Sequence, residues 1–163
     1  MKLAIVTGGS SGIGLAIVEN FRAKGMKAIS WDLTAPENND IPFQRCDVSS
    51  EASVNEALQA TAKQFGEAEV LVNNAGLQFL SPVESFPVEK WNQLLGVILT
   101  GTFLCSRAVI PAMKANRRGR IINISSIHGK VPSPRRGGIH QPSWIARLPH
   151  SPQRAGNVFG KRE

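Results

Sequence analysis

The chain contains no tyrosine among its 163 residues. No phenol is therefore present to serve as a general acid or base, and any proton transfer must use other groups. Cysteine is scarce as well. Cys46 and Cys105 lack the paired spacing of a zinc site or a redox motif and read as small buried residues of a reducing compartment. No metal site is expected. Uninterrupted apolar runs stay below bilayer-spanning length, and the N-terminus enters a core strand without a basic and apolar leader. The expectation is a cytoplasmic chain with no membrane partner.

Acidic residues are scarce in one part only. The net charge of +7 hides a split: residues 1–116 carry nine Lys/Arg against eleven Asp/Glu, or −2, and 117–163 carry ten against the single Glu163, or +9. A basic segment can mark nucleic-acid or membrane-surface binding. Here it has no aromatic platforms and no binding motif, so no nucleic-acid partner is expected. The apolar content of 42% in one domain's length is enough to bury a core.

What is abundant is glycine at telling positions. A short apolar strand, Lys2 to Val6, runs into Thr7-Gly8-Gly9-Ser10-Ser11-Gly12-Ile13-Gly14 and then into a helical pattern of Ile13, Ile17, Val18 and Phe21 that stops at Gly25. Gly8 suits a sharp turn at the strand end, Gly12 lets backbone approach a pyrophosphate, and Gly14 lets helix pack on strand. Helix-start N–H groups would face the phosphates. A second strand, Ala28 to Trp31, ends on Asp32, at the usual distance of about 20 residues past the loop. A carboxylate there can accept both ribose hydroxyls and repels a 2′-phosphate, which favours NAD over NADP. The plainer alternative is a solvated Asp opening a loop.

Strand and helix continue to alternate. Pro42 to Cys46 leads to Asp47-Val48, where the Asp could bond an adenine amino group. Ser49 and Ser50 cap a helix bearing Val54, Leu58 and Phe65, closed by Gly66. Glu69 to Val72 ends in Asn73-Asn74-Ala75-Gly76, small enough for backbone to pass a cofactor ring. Pro87, placed for a first helical turn, precedes a long helix through Trp91, Leu94, Leu95, Ile98, Phe103 and Val109 to Met113, and Arg120 to Ile124 forms a fifth strand. The fold class is α/β, a Rossmann-like doubly wound parallel sheet of five strands in the order 3-2-1-4-5, with ligands beyond the carboxyl ends of the strands. The expected organisation is a nucleotide-binding domain over 1–134 and an irregular, disordered basic tail over 135–163.

Together the Thr7–Gly14 loop, Asp47-Val48, Asn73-Asn74-Ala75-Gly76 and Gly119-Arg120-Ile121-Ile122-Asn123-Ile124-Ser125-Ser126 resemble the short-chain dehydrogenase/reductase family over roughly residues 2–134. Shorter strings, Asn74 to Gln78, Phe86 to Trp91 and Ser126 to Gly129, resemble the bacterial D-3-hydroxybutyrate dehydrogenases. The resemblance implies hydride transfer between NAD and a small hydroxy acid or ketone. Carried over residue by residue, it assigns Gly8, Ser10, Ser11, Gly12, Ile13, Gly14, Asp32, Asp47, Val48, Asn74, Ala75 and Gly76 to the cofactor. It assigns Ser126 to catalysis and substrate binding, and Gln78 and His128 to the substrate carboxylate. It also implies homo-oligomers, of whose interface this chain lacks much.

Two departures stand out. Where the family has Asn on the long helix this chain has Ile98, which would not order a proton-relay water, and no Tyr-x-x-x-Lys follows Ser126. The segment Arg135 to Trp144 has neither helical nor strand period. Read one nucleotide earlier from Gly138, its codons permit Tyr-[Thr/Ser]-Ser-[Ala/Thr]-Lys, the Tyr opposite Ile139 and the Lys opposite Ser143. A one-nucleotide deletion between about codons 132 and 138 would explain the missing tyrosine, the lost periodicity and the basic tail together. Two functions follow: an NAD-dependent oxidoreductase by descent, inactive in this form, or a nucleotide-binding remnant without catalysis.

Overall fold

The computed structural model describes residues 2–125. Five strands, β1 (Leu3–Thr7), β2 (Lys27–Asp32), β3 (Phe43–Arg45), β4 (Ala68–Asn73) and β5 (Arg120–Asn123), form one sheet in the order β3-β2-β1-β4-β5. Every pairing is parallel, as the order expected from the sequence requires. All five carboxyl ends therefore lie along one edge.

The helices are α1 (Gly12–Ala23), α2 (Glu51–Phe65), α3 (Val88–Leu95) and α4 (Gly101–Ala115). Strand side chains alternate between faces, so β1 sends Leu3 and Ile5 into one layer and Ala4 and Val6 into the other. The first layer packs Ile29, Trp31 and Leu71 against Val54 and Ala57 of α2 and Leu104, Cys105 and Val109 of α4. The second packs Ala28 and Val72 against Val18, with Leu15, Ile17 and Phe21 of α1 around them. Trp31 is fully buried and its indole Nε1–H donates to Thr61 Oγ1 of α2 at 2.9 Å. That bond satisfies the one polar atom of a side chain whose burial stabilises the layer by about 3 kcal/mol.

Local signals account for the helix starts. Ser50 caps α2 by accepting from Ser53 N–H at 3.3 Å, and Glu51 lies in the first turn, where it pairs with Arg107 of α4. Ser49, expected to share the cap, is instead held by Asp47. Pro87 is the residue before the first turn of α3, one position earlier than the sequence suggested.

Three apolar residues read as part of helical stripes are not buried. Ile13 is 67% exposed, Trp91 45% and Phe103 52%. The apolar stripe of α1 begins at Leu15; Ile13 faces solvent while Gly14, in the same turn, is buried. The long helix changes phase at a single π-helical turn, Gly96–Thr100, whose wider winding separates α3 from α4. Ile98 lies in that turn and is buried, as Leu94 before it and Leu104 after it are.

The continuous helix Val88–Ala115 is long and apolar enough, by length and composition alone, to cross a membrane. The sequence expectation that no segment has that length rested on uninterrupted apolar runs and missed it. Leu94, Ile98, Leu104, Cys105, Val109 and Met113 of this helix are buried within the fold.

Cys46 and Cys105 are free and buried, as expected. Burial, joined by the neighbouring Asp47 charge and opposed by a hydrogen bond from Ser53, pushes the Cys46 thiol from 9.0 up to about 12. Burial, with Cys46 adding, pushes Cys105 up as well. Folded-state values above the ordinary one mean stability that is fully present below pH 9 and lost as pH rises toward and through about 12. At pH 8 a thiol-specific disulfide reagent is expected to leave both cysteines unlabelled in the native chain and to label both in denaturant. Rapid native labelling would show that the layer beneath α4 opens readily.

Candidate functional site

The carboxyl ends of β1 and β4 form the switch point of the sheet, where the chain leaves β3 and crosses to the opposite side of β1. Thr7, the last residue of β1, ties the two ends together. Its Oγ1 accepts from the backbone N–H groups of Asn74 and Ala75, each at 3.0 Å, and donates to the Val72 carbonyl at 3.4 Å. Asn74 returns the contact, Nδ2 donating to the carbonyls of Thr7 at 3.1 Å and Gly8 at 3.2 Å. The loop after β4 is thereby fastened to the glycine loop.

The glycines are required for different reasons. Gly8 turns with φ +63°, and a Cβ there would meet Ala75 Cα at 3.0 Å. A Cβ on Gly14 would lie 2.0 Å from the Gly8 carbonyl oxygen, so α1 presses directly on the turn. Gly12 has φ +52° and open space around it. That opening, at the first residue of α1, is what a closely approaching pyrophosphate needs. Ser11 precedes the helix without a side-chain cap, and no acidic residue occupies the first turn. In α2, by contrast, Ser50 and Glu51 fill both roles. The start of α1 thus keeps its N–H groups and positive dipole end for an anion, and the residues present fit a dinucleotide phosphate.

Asp32 closes β2 beside this loop. Its Oδ2 accepts from Ser10 N–H at 3.1 Å and its Oδ1 from Leu33 N–H at 2.7 Å. Each oxygen retains a second lone pair for a ribose hydroxyl. Asp47 Oδ1 accepts from Ser49 N–H at 2.9 Å and Ser49 Oγ at 2.7 Å. Val48 is a packing residue, buried at 6% exposure, and a Cβ on Gly101 would meet its Cγ2 at 2.9 Å. Ser11 and Ile13 are exposed beside Gly12, and Ala75, Gly76 and Gln78 follow one another along the loop after β4, Gln78 exposed. Ser126 and His128, along with the catalytic string inferred for the segment after Arg135, lie outside the described residues.

Four polar residues in the fold were not singled out from the sequence. Ser30 lies fully buried beneath the glycine loop. Asn73 Nδ2 donates to Ser106 Oγ at 3.2 Å and to Asn123 Oδ1 at 2.8 Å, joining β4, α4 and β5, and its own Oδ1 is buried without a partner among the described residues. In sequence these are ordinary strand and helix polar residues. Asn73 and Asn123 carried a signal, as members of Asn73-Asn74-Ala75-Gly76 and of the string Gly119 to Ser126.

A family model described as short chain dehydrogenase matches residues 2–138. An uncharacterized oxidoreductase, YxjF, of Bacillus subtilis (strain 168) is 38% identical over 141 residues, 80% of this chain and 55% of that protein. A D-beta-hydroxybutyrate dehydrogenase of Rhizobium meliloti (strain 1021) is 36% identical over 146 residues, 82% of this chain and 57% of that protein. Among solved structures, ligand-free Thermoplasma acidophilum aldohexose dehydrogenase (AldT) superposes with a TM-score of 0.79 at 34% identity, over 83% of this chain and 53% of that one. A glycine loop at a β1/β4 switch point, in a chain with these similarities, belongs to the short-chain dehydrogenase family of oxidoreductases. The chain spans about half the length of the curated relatives it matches. Members of this family use a nicotinamide cofactor.

Proposed function

We propose that the chain is the cofactor-binding part of an NAD-preferring dehydrogenase of small secondary alcohols, 3-hydroxybutyrate being the favoured substrate, and that it binds NAD without appreciable turnover. The observation that carries the NAD preference is Asp32, oriented at the end of β2 by the N–H groups of Ser10 and Leu33. A carboxylate held there offers acceptors to ribose hydroxyls and a fixed negative charge to a 2′-phosphate.

When bound, the nicotinamide supplies the hydride acceptor or donor. Gly12, Ile13 and Gly14 at the start of α1 would hold the pyrophosphate by their N–H groups, and the loop Asn74–Gly76 would border the nicotinamide. Gln78, further along that loop, and His128 contact the substrate carboxylate, and Ser126 polarises the substrate oxygen. The substrate class is supported by the hydroxybutyrate dehydrogenase similarity. The loss of turnover is supported by the absence of tyrosine from the whole sequence and by Ile98 in the helix. Assembly into homo-oligomers belongs to the same proposal, as does a cytoplasmic location.

Calorimetric titration tests the cofactor assignment. NAD is expected to bind measurably and NADP at least about tenfold more weakly, with Asp32→Ala narrowing the ratio through loss of about 1.4 kcal/mol of discrimination. Tighter NADP than NAD binding would overturn it.

A further inference from the structure

Ser30 is a fully buried hydroxyl in the middle of a β-sheet, a placement that costs free energy unless the hydroxyl is bonded. Its Oγ lies 2.9 Å from Ser10 Oγ. Ser10 is itself only 9% exposed, although it belongs to a loop whose next residues are open to solvent. Ser30 and Asp32 are two positions apart on β2 and so project to the same face. Ser10 meets both, its hydroxyl at Ser30 and its backbone N–H at Asp32 Oδ2, 3.1 Å away.

The residue between turn and clamp allows this approach. A Cβ on Gly9 would lie 2.9 Å from Ser30 Oγ, 3.0 Å from Ser30 Cα and 2.8 Å from the Val6 carbonyl oxygen. The loop therefore sits directly on β2 at Ser30, with no side chain between them. Ser10 is thus held at two points on β2, its hydroxyl at Ser30 and its N–H at Asp32.

We infer that Ser30 is a positioning residue for cofactor selection, acting through Ser10 to aim the Asp32 carboxylate at the adenosine ribose. This deepens the NAD assignment and rests on it. Ser10, which the resemblance placed among direct cofactor contacts, then spends its hydroxyl on β2 and its N–H on Asp32. A purely structural Ser30 would alter stability and leave the NAD-to-NADP ratio alone. A positioning Ser30 alters the ratio, and its effect requires Ser10.

The experiment is a double-mutant cycle of Ser10→Ala and Ser30→Ala in the full chain, read by calorimetric titration with NAD and NADP, alongside amide exchange of the glycine loop. Each single substitution is expected to weaken NAD binding about fivefold, the worth of one buried hydrogen bond, and to lower the NAD-to-NADP ratio by a similar factor. The double variant should fall within about twofold of either single one. The Ser10 amide should lose exchange protection in Ser30→Ala while Ile5 and Val6 of β1 keep theirs. Multiplicative effects in the cycle, an unchanged ratio, or unaltered Ser10 protection would overturn the inference while wild-type NAD preference stands. If the wild type itself prefers NADP or binds neither dinucleotide, the cofactor assignment fails, and the inference fails with it. Unchanged protection would then show separately that Ser30 does not hold the loop.

Discussion

Gly14→Ala is expected to lower the stability of the chain by about 3 kcal/mol, a large share of the total a domain of this size has. The added methyl carbon would lie 2.0 Å from the Gly8 carbonyl oxygen and 2.6 Å from Asn74 Nδ2, deep inside van der Waals contact. Neither neighbour can yield. Gly8 is in a turn with φ +63°, its N–H bonded to the Trp31 carbonyl at 2.8 Å, and Asn74 is held by Thr7 and Gly8. The gain of about 1 kcal/mol from replacing glycine within a helix does not offset that overlap. Gly12→Ala is the control. Open space surrounds that position, so the substitution meets only the strain of φ +52°, about 1–2 kcal/mol. Urea unfolding followed by circular dichroism should order the variants wild type, Gly12→Ala, Gly14→Ala. A Gly14→Ala chain as stable as Gly12→Ala would mean that α1 does not press on the turn.

Gly8, with Gly12 and Gly14, shows why the fold is legible in the sequence. Glycine at the strand end and again at the helix start, with β-period apolar residues before and helix-period residues after, admits few arrangements, and the strand order follows from parallel strands joined by helices. The position of Asp32 was legible because it depends only on where β2 ends. What was not legible depends on contacts between distant segments. Nothing local to Ser30 distinguishes it from a solvent-facing strand serine, since its partner is Ser10, 20 residues earlier. Trp31 reads as an apolar strand residue, and its bond to Thr61 of α2 follows only from the packing of helix on sheet. Ile13, Trp91 and Phe103 are exposed where the pattern implies burial, because periodicity counts apolar residues without showing which side of each helix is covered. The π-helical turn at Gly96–Thr100 then shifts the phase within one apparently continuous stripe.

Turnover should be affected still more than stability. With NAD and 3-hydroxybutyrate at saturation, the 163-residue chain is expected to run at least about 10²-fold, and up to about 10⁴-fold, below a full-length relative, the range associated with losing a positioned general acid or base. Oxidising a secondary alcohol removes a hydride from carbon and a proton from oxygen. In the proposed function the glycine loop, Asp32 and the loop Asn74–Gly76 serve the cofactor, and none of them takes that proton. The hydroxyls of Ser125 and Ser126, which follow Asn123 and Ile124 in the sequence, can accept or donate a hydrogen bond, but their basicity is too low to hold the proton at neutral pH. Ile98, at 6% exposure and apolar, has no side-chain group with which to order a relaying water. NAD binding measured by calorimetry should survive while reduction of NAD measured by absorbance does not, the pattern of a chain that keeps ground-state binding and lacks an interaction made in the transition state. Ile98→Asn alone should not restore the rate, because the relay would still end on no acid. Turnover near that of a full-length relative, abolished by Ser126→Ala, would overturn the expectation and require a proton acceptor among the remaining lysines, histidines or carboxylates.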